Sequence, residues 1–217
     1  VVEEHRVLGW PLELALHFGT DPGRELEAFL GCYRDSSVPL RQILLYDQGH
    51  LSGEEMLATV VPRLRDPFPG IPIGGGTDAY FAELNRNPPA GEWLDFVTFT
   101  ICPQVHASDT PTLIENIGAQ EDVVQNAEHL SGLPVSVPAI TLKQRFHVAA
   151  TDQNRTGPPV PEYDARQNTP FTAAWTLGSL KQLALAGARS ITYFESAGPG
   201  GIIGLKPPSG QFVEEEN

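Results

Sequence analysis

Residues 96 to 120, FVTFTICPQVHASDTPTLIENIGAQ, constrain the fold more than any other stretch. The apolar run from Phe96 to Ile101 reads as a fully buried strand. It passes straight into a polar loop from Cys102 to Asp109, and Thr110-Pro111 then opens a helix. Strand, polar loop and helix make the βα unit of a parallel α/β protein. In such folds ligands sit in the loops beyond the strands' carboxyl ends. This loop holds an amide, Gln104, an imidazole, His106, and a carboxylate, Asp109.

The same grammar recurs along the chain. Leu12 to Phe18 reads as a strand, and Asp21-Pro22 opens a helix carrying Leu26, Phe29, Leu30 and Tyr33. Gln42 to Tyr46 is a second strand, and Ser52-Gly53-Glu54-Glu55 has the form of a capping box before Met56 to Leu64. Ile71 to Ile73 begins a third strand that runs into Gly74-Gly75-Gly76-Thr77-Asp78, with a helix behind it. The pattern after Thr110 predicts one helix as far as Gly132. Val135 to Thr141 is a fifth strand, followed by a polar segment to Gln167 that reads as an ordered loop with a functional or covering role. Thr169-Pro170 caps a helix bearing Phe171, Ala174, Trp175, Leu180, Leu183 and Ala186, and Gly187 stops it. Ser190 to Phe194 is a sixth strand.

Six strands of this kind suit either an open doubly wound sheet or a (β/α)8 TIM barrel, and the barrel is better supported. Polar residues stand at the end of nearly every strand: His17, Asp47, Asp78, Gln104 with His106, Lys143 and Glu195. A ring of such residues at one pole is the pattern of barrel enzymes. A full barrel has about eight strands in roughly 250 residues, so about six βα units predict an incomplete one lacking strands at its beginning. The expected organisation is a barrel domain over residues 1–204 and an acidic tail or linker over 205–217.

Composition limits the partners. The 217 residues carry 14 Lys and Arg against 27 Asp and Glu, a net charge of −13. That field disfavours nucleic acid and anionic membranes and does not obstruct neutral sugars or lactones. A mean hydropathy of −0.17 suits a soluble globular chain, and no apolar run approaches bilayer length. Cys32 and Cys102 form neither a disulfide framework nor a zinc cluster, so a reducing, cytoplasmic setting is the default expectation.

Each candidate residue has a structural alternative. His106 could polarise a carbonyl and Gln104 could donate to an oxyanion; otherwise both are loop residues. Asp109 and Asp78 would face a pocket or cap the next helix. Glu195 at a strand end would be costly unless paired or working, and partial desolvation would suit it to acid–base chemistry. Its structural alternative is a salt bridge to Arg145 or Arg166. Asn85 and Arg86 could simply close a helix. Three glycines at Gly74 to Gly76 let a backbone approach a ligand, but they match neither GxGxxG nor a P-loop. His17, Asp47 and His50 could supply a divalent metal with Asp109 or Glu195, although no HExxH or CxxC is present and a metal-free site is expected. No GxSxG elbow occurs either.

Five motifs carry a family resemblance: GGGTDAYFAELNR (74 to 86), CPQVHASD (102 to 109), AITL (139 to 142), DARQNTPFTAAWTLGSLKQLALAGA (164 to 188) and SITYFESAGPGG (190 to 201). Together they resemble the barrel domain of bacterial D-apionate lactonases, from about Leu12 to Gly204. The resemblance implies a glycosidase-like TIM barrel, flanked in the family by β-rich domains. It also implies hydrolysis of a sugar-acid lactone, D-apionolactone to D-apionate.

Lactone opening needs an activated water, an oxyanion donor and an acid for the leaving alkoxide. By position and chemistry Glu195 is the expected base, His106 the electrophile or acid and Gln104 the oxyanion donor. Asp78, Asn85, Asp109, Tyr193 and Arg166 are expected to bind substrate hydroxyls. Two other readings stand beside this one. One is a glycoside hydrolase pairing Glu195 with Asp78 or Asp109. The other is a non-catalytic carbohydrate-binding piece of a larger enzyme.

Overall fold

A computed structural model describes residues 9–34, 36, 38–145 and 163–203. Six strands and their helices alternate: β1 (Leu12–Phe18), α1 (Pro22–Tyr33), β2 (Leu40–Asp47), α2 (Glu54–Arg65), β3 (Ile73–Tyr80), α3 (Phe81–Arg86), β4 (Phe96–Thr100), α4 (Thr110–Glu115), α5 (Ala119–Ser131), β5 (Val135–Ile140), α6 (Pro170–Leu185) and β6 (Ser190–Tyr193). A short pair, β7 (Glu195–Ala197) and β8 (Gly201–Ile203), follows. The main sheet runs in chain order from β1 to β6, and every neighbouring pair is parallel.

The sheet curls. Gln42 on β2, fully buried, accepts from Arg189 Nη1 at 2.5 Å and its amide nitrogen lies 3.5 Å from Ser190 Oγ on β6. β2 and β6 are not neighbours in the sheet, so this contact crosses its concave side. Gln42 also donates to Glu13 on β1, and the Arg189 guanidinium lies 4.4 Å over the Phe96 ring. Leu44, Tyr46 and Phe96 fill the concave side above this polar layer. The alternate side chains face outward. Ile43, Leu45 and Ile73 pack with Leu26, Leu57, Val60 and Leu64 of α1 and α2. Val97, Phe99, Val135 and Val137 pack with Val124, Ala127, Trp175 and Leu183 of α5 and α6. A curled parallel sheet with helices outside and side chains within is an incomplete TIM barrel.

Several boundaries differ from expectation. The three glycines lie inside β3, which continues to Tyr80. They admit neighbouring side chains rather than a ligand. A Cβ on Gly74 would stand 2.2 Å from Phe96 Cε2, and one on Gly75 would stand 2.5 Å from Ser52 Oγ. Gly76 has φ +134, with the Thr98 carbonyl 2.5 Å from any Cβ. Ser52 does not cap α2; its hydroxyl donates to the Leu45 carbonyl and accepts from the Gly76 N–H, tying β2 to β3, and Gly53 takes the cap position. The single helix expected after Thr110 is two, because Asn116 ends α4 and turns its amide back onto the Pro103 carbonyl at 3.0 Å. β6 stops at Tyr193 because Phe194 adopts φ +49 and redirects the chain. Most of the polar segment before Gln167 lies outside the described residues, as does the expected tail at 205–217. No described helix is long and apolar enough to cross a membrane.

Gly74→Ala is therefore expected to destabilise the fold by about 1–3 kcal/mol through overpacking against Phe96. Urea denaturation would read this as a lower midpoint at unchanged slope, and an unaltered midpoint would refute the packing role.

Candidate active site

The carboxyl ends of the strands carry two separate polar sets. The first is built on β1, β2 and β3. Asp78 lies near the end of β3, and its side chain is only 6% exposed. Its Oδ1 is 2.9 Å from His50 Nδ1, and its Oδ2 is 3.6 Å from Nε2 of His17 on β1. Both rings reach solvent, at 47% for His17 and 43% for His50. The His17 ring also packs on Tyr46, with centroids 5.2 Å apart. Burial and the neighbouring carboxylates push the Tyr46 phenol well above its ordinary pKa, and its hydroxyl is paired with Thr98 Oγ1 at 2.9 Å.

The second set joins the loop after β4 to the approach to α6. Gln104, 9% exposed, donates its amide to Asp164 Oδ2 at 2.5 Å. Arg166 grips the same carboxylate through Nε (2.9 Å) and Nη2 (2.8 Å), and its backbone N–H donates to Oδ1. The other guanidinium bonds go to Thr110 Oγ1 (2.9 Å) and the Ser108 carbonyl (2.8 Å). The Arg166 side chain, its backbone N–H and the Gln104 amide hold the Asp164 carboxyl down at about pH 2, against the opposing effect of burial. The Asp164 hydrogen bond in turn raises the Arg166 pKa. Asp164 therefore remains an anion at every working pH and fixes the face of Gln104.

The remaining candidates fall as follows. Asp109 is the N-cap of α4, accepting from Thr112 N–H at 3.0 Å and Thr112 Oγ1 at 2.8 Å; these bonds lower its pKa. His106 is exposed on the loop after β4. Asn85 is exposed on α3. Tyr193 is turned to the helix side, where its hydroxyl donates to Ser179 of α6 at 2.9 Å. Glu195 begins β7 and is exposed, so the desolvation expected of a buried strand end is not found there. Gly198 and Gly200 pass close to its carboxylate. Among the described residues no group of three His, Cys, Asp or Glu side chains is arranged to hold a metal ion.

Sequence reasoning brought Gln104 and Arg166 to one site but passed over Asp164, the group between them. The signal was available in the Asp-Ala-Arg spacing just ahead of a helix start. In the sequence His17 reads as a strand-end residue or a metal ligand and His50 as a metal ligand, because nothing local ties either to Asp78.

The family model described as D-apionate lactonase, TIM barrel domain, matches residues 2–215. The chain belongs to the D-apionate lactonase family. A D-apionate lactonase of Brucella anthropi is 29% identical over 151 residues, covering 67% of this chain and 25% of that protein. The chain thus spans about a quarter of the length of the curated relative it matches. Among solved structures, a β-glucuronidase from an uncultured Clostridium species aligns at TM-score 0.50 and 12% identity, over 81% of this chain and 29% of its own. A family 5 glycoside hydrolase mannosidase from Rhizomucor miehei aligns at 0.47 and 9%, over 74% and 41%. The β-glucuronidase likeness supports the barrel fold of the lactonase family and nothing finer.

Asp164 has a definite acid signature. Its folded pKa lies below the ordinary 3.8, so its contribution to stability is complete above that value and is lost as pH falls through about 2. Melting curves between pH 5 and pH 2 should therefore fall more steeply for the native protein than for Asp164→Asn. Parallel slopes would show that the Arg166 clamp contributes nothing.

Proposed function

We propose that this barrel opens a sugar-acid lactone, D-apionolactone to D-apionate, by attack of water on the lactone carbonyl at the carboxyl pole of the sheet. The observation that carries the reading is the family match over almost the whole chain, together with the Gln104–Asp164–Arg166 set at that pole. Family membership supports a sugar-acid lactone as the substrate class, and the polar sets supply groups at the pole that could act on it.

Water is a poor nucleophile toward a lactone until a base removes its proton as it attacks. Glu195 is the assigned base. It follows β6 and is open to solvent, where an incoming water and substrate can reach it. The carbonyl oxygen gains negative charge as the tetrahedral intermediate forms, and a preorganised donor stabilises it. Gln104 has two amide hydrogens. Asp164 takes one and thereby fixes the direction of the other. The ring oxygen that departs must be protonated, and three imidazoles, His17, His50 and His106, stand at this pole. Asp78, Asn85, Asp109, Tyr193 and Arg166 were the expected hydroxyl ligands. Arg166 stands in the second polar set, whereas the burial of Asp78 between two imidazoles, the cap role of Asp109 and the helix-side bond of Tyr193 argue against those three. Asn85 rests on its exposure alone. The reading is metal-free.

The test is acid release from a panel of aldonolactones, D-apionolactone included, by the intact polypeptide that carries this chain. Turnover should survive EDTA and fall by roughly 100-fold or more in Glu195→Gln, the usual range for loss of a general base. Full activity in Glu195→Gln would overturn the base assignment. Loss with EDTA would overturn the metal-free reading, and release of a chromophore from aryl glycosides in place of acid from lactones would replace the reaction itself.

A further inference from the structure

The Asp78 pair has a geometry that a structural role does not need. Asp78 is buried, and a carboxylate that far from water must be paired. Its partners are two imidazoles, each open to solvent on the substrate side of the fold. A carboxylate only accepts hydrogen bonds, so the 2.9 Å contact places a hydrogen on His50 Nδ1. In the neutral ring the lone pair is then on Nε2, and in the imidazolium Nε2 carries the second hydrogen. Asp78 accepts the Nδ1–H in both states, so the ring keeps its orientation while a proton comes and goes. The same orienting carboxylate serves the histidine of hydrolytic triads.

The backbone is built to hold this ring in place. His50 adopts φ +62, a region few side-chain-bearing residues enter. Its N–H donates to the Asp47 carbonyl at 3.1 Å, and its carbonyl accepts from the Asp78 N–H at 3.3 Å and Thr77 Oγ1 at 2.6 Å. Asp47 closes the same turn by accepting from Gly49 N–H (2.7 Å) and Leu51 N–H (3.2 Å). Glycine or asparagine would satisfy this turn more readily. A strained conformation held by so many bonds marks a position where the side chain matters. His106, by contrast, is exposed and has no orienting carboxylate among the described residues.

We propose that His50 is the acid that protonates the departing ring oxygen, with Asp78 as the residue that positions it. This rests on the lactonase reading. Water, losing its proton to Glu195, forms the new C–O bond. The carbonyl π pair moves onto oxygen and faces Gln104. On collapse that pair re-forms the carbonyl and the bond from the acyl carbon to the ring oxygen breaks. The ring oxygen keeps the bonding pair and takes the Nε2 proton of imidazolium His50. His50 is left neutral, its Nδ1–H still on Asp78, and regains a proton as Glu195 loses one. One water enters and one hydroxy acid leaves. His17, 3.6 Å from the other Asp78 oxygen, keeps the carboxylate between the two rings.

The test compares two leaving groups on the intact polypeptide. An aldonolactone expels an alkoxide that needs a proton; a nitrophenyl ester of the same sugar acid expels a phenolate that does not. His50→Ala should lower lactone turnover by roughly 100-fold while nitrophenyl ester turnover stays within about threefold, and added imidazole should restore part of the lactone activity. Asp78→Asn should lose lactone turnover in the same selective way without rescue by imidazole. If both substrates fall together in His50→Ala, the residue is structural and the proposal is overturned. It is equally overturned if His50→Ala keeps lactone turnover, or if His106→Ala shows the selective loss instead. A native protein inert toward every lactone brings down the lactonase reading itself, which separates that failure from the failure of the acid assignment.

Discussion

The absence of side chains on three consecutive residues of β3 sets the rest of the structure. Because Gly74 presents only hydrogen, Phe96 can lie across it and fill the concave side of the sheet. Because Gly75 does the same, Ser52 can reach in from the loop after β2 and bridge the Leu45 carbonyl to the Gly76 N–H. That bridge brings the loop from Asp47 to Ser52 against the end of β3. The short antiparallel contact of Leu51 with Thr77 follows, and with it the bond from the Asp78 N–H to the His50 carbonyl. Any larger residue in the run would push these segments apart, at a cost typical of overpacked cores.

The repeating strand, polar loop and helix were legible in the sequence because buried parallel strands read as continuous apolar runs and helices announce their caps. Asp21 and Asp109 cap as their positions suggest, and Gly132 and Gly187 end their helices with positive φ. The parallel order and the incomplete barrel followed from such local signals, and the family from the resemblance of five longer motifs. What failed to read was whatever depends on a distant partner. Ser52 has the sequence form of a cap and instead serves two strands. The glycine run looks like a ligand cradle until Phe96 and Ser52 occupy the space. Helix α6 is apolar on every side, so its pattern could not choose a face. Thr172, Trp175, Ser179 and Leu183 turn inward while Leu177, Leu180 and Leu185 stay exposed. Ser179 is drawn in by its bonds to Gln120 and Tyr193, a polar contact no hydrophobic periodicity reveals.

The candidate site shows the same division. Strand ends were enough to place His17, Asp78, Gln104 and Glu195 at one pole, since the fold delivers them there whatever their chemistry. They were not enough to say which groups meet. Asp164 and Gln104 are 60 residues apart in sequence, and His50 and Asp78 are 28 apart. Each pair forms only because the strands lie side by side.

The two polar sets answer one electrostatic problem in different ways. Each contains a carboxylate largely removed from water, and such a group persists only if other groups replace its hydration. Asp164 is satisfied by a guanidinium, a backbone N–H and an amide, all permanent donors, and its charge is locked. That suits a part whose task is to hold Gln104 still. Asp78 is satisfied by imidazoles, rings that exist with one N–H or with two. That suits a part whose task is to let a proton leave and return without moving the ring that carries it. A fixed dipole on one side and a movable proton on the other are what a carbonyl gaining charge and a ring oxygen losing its bond require.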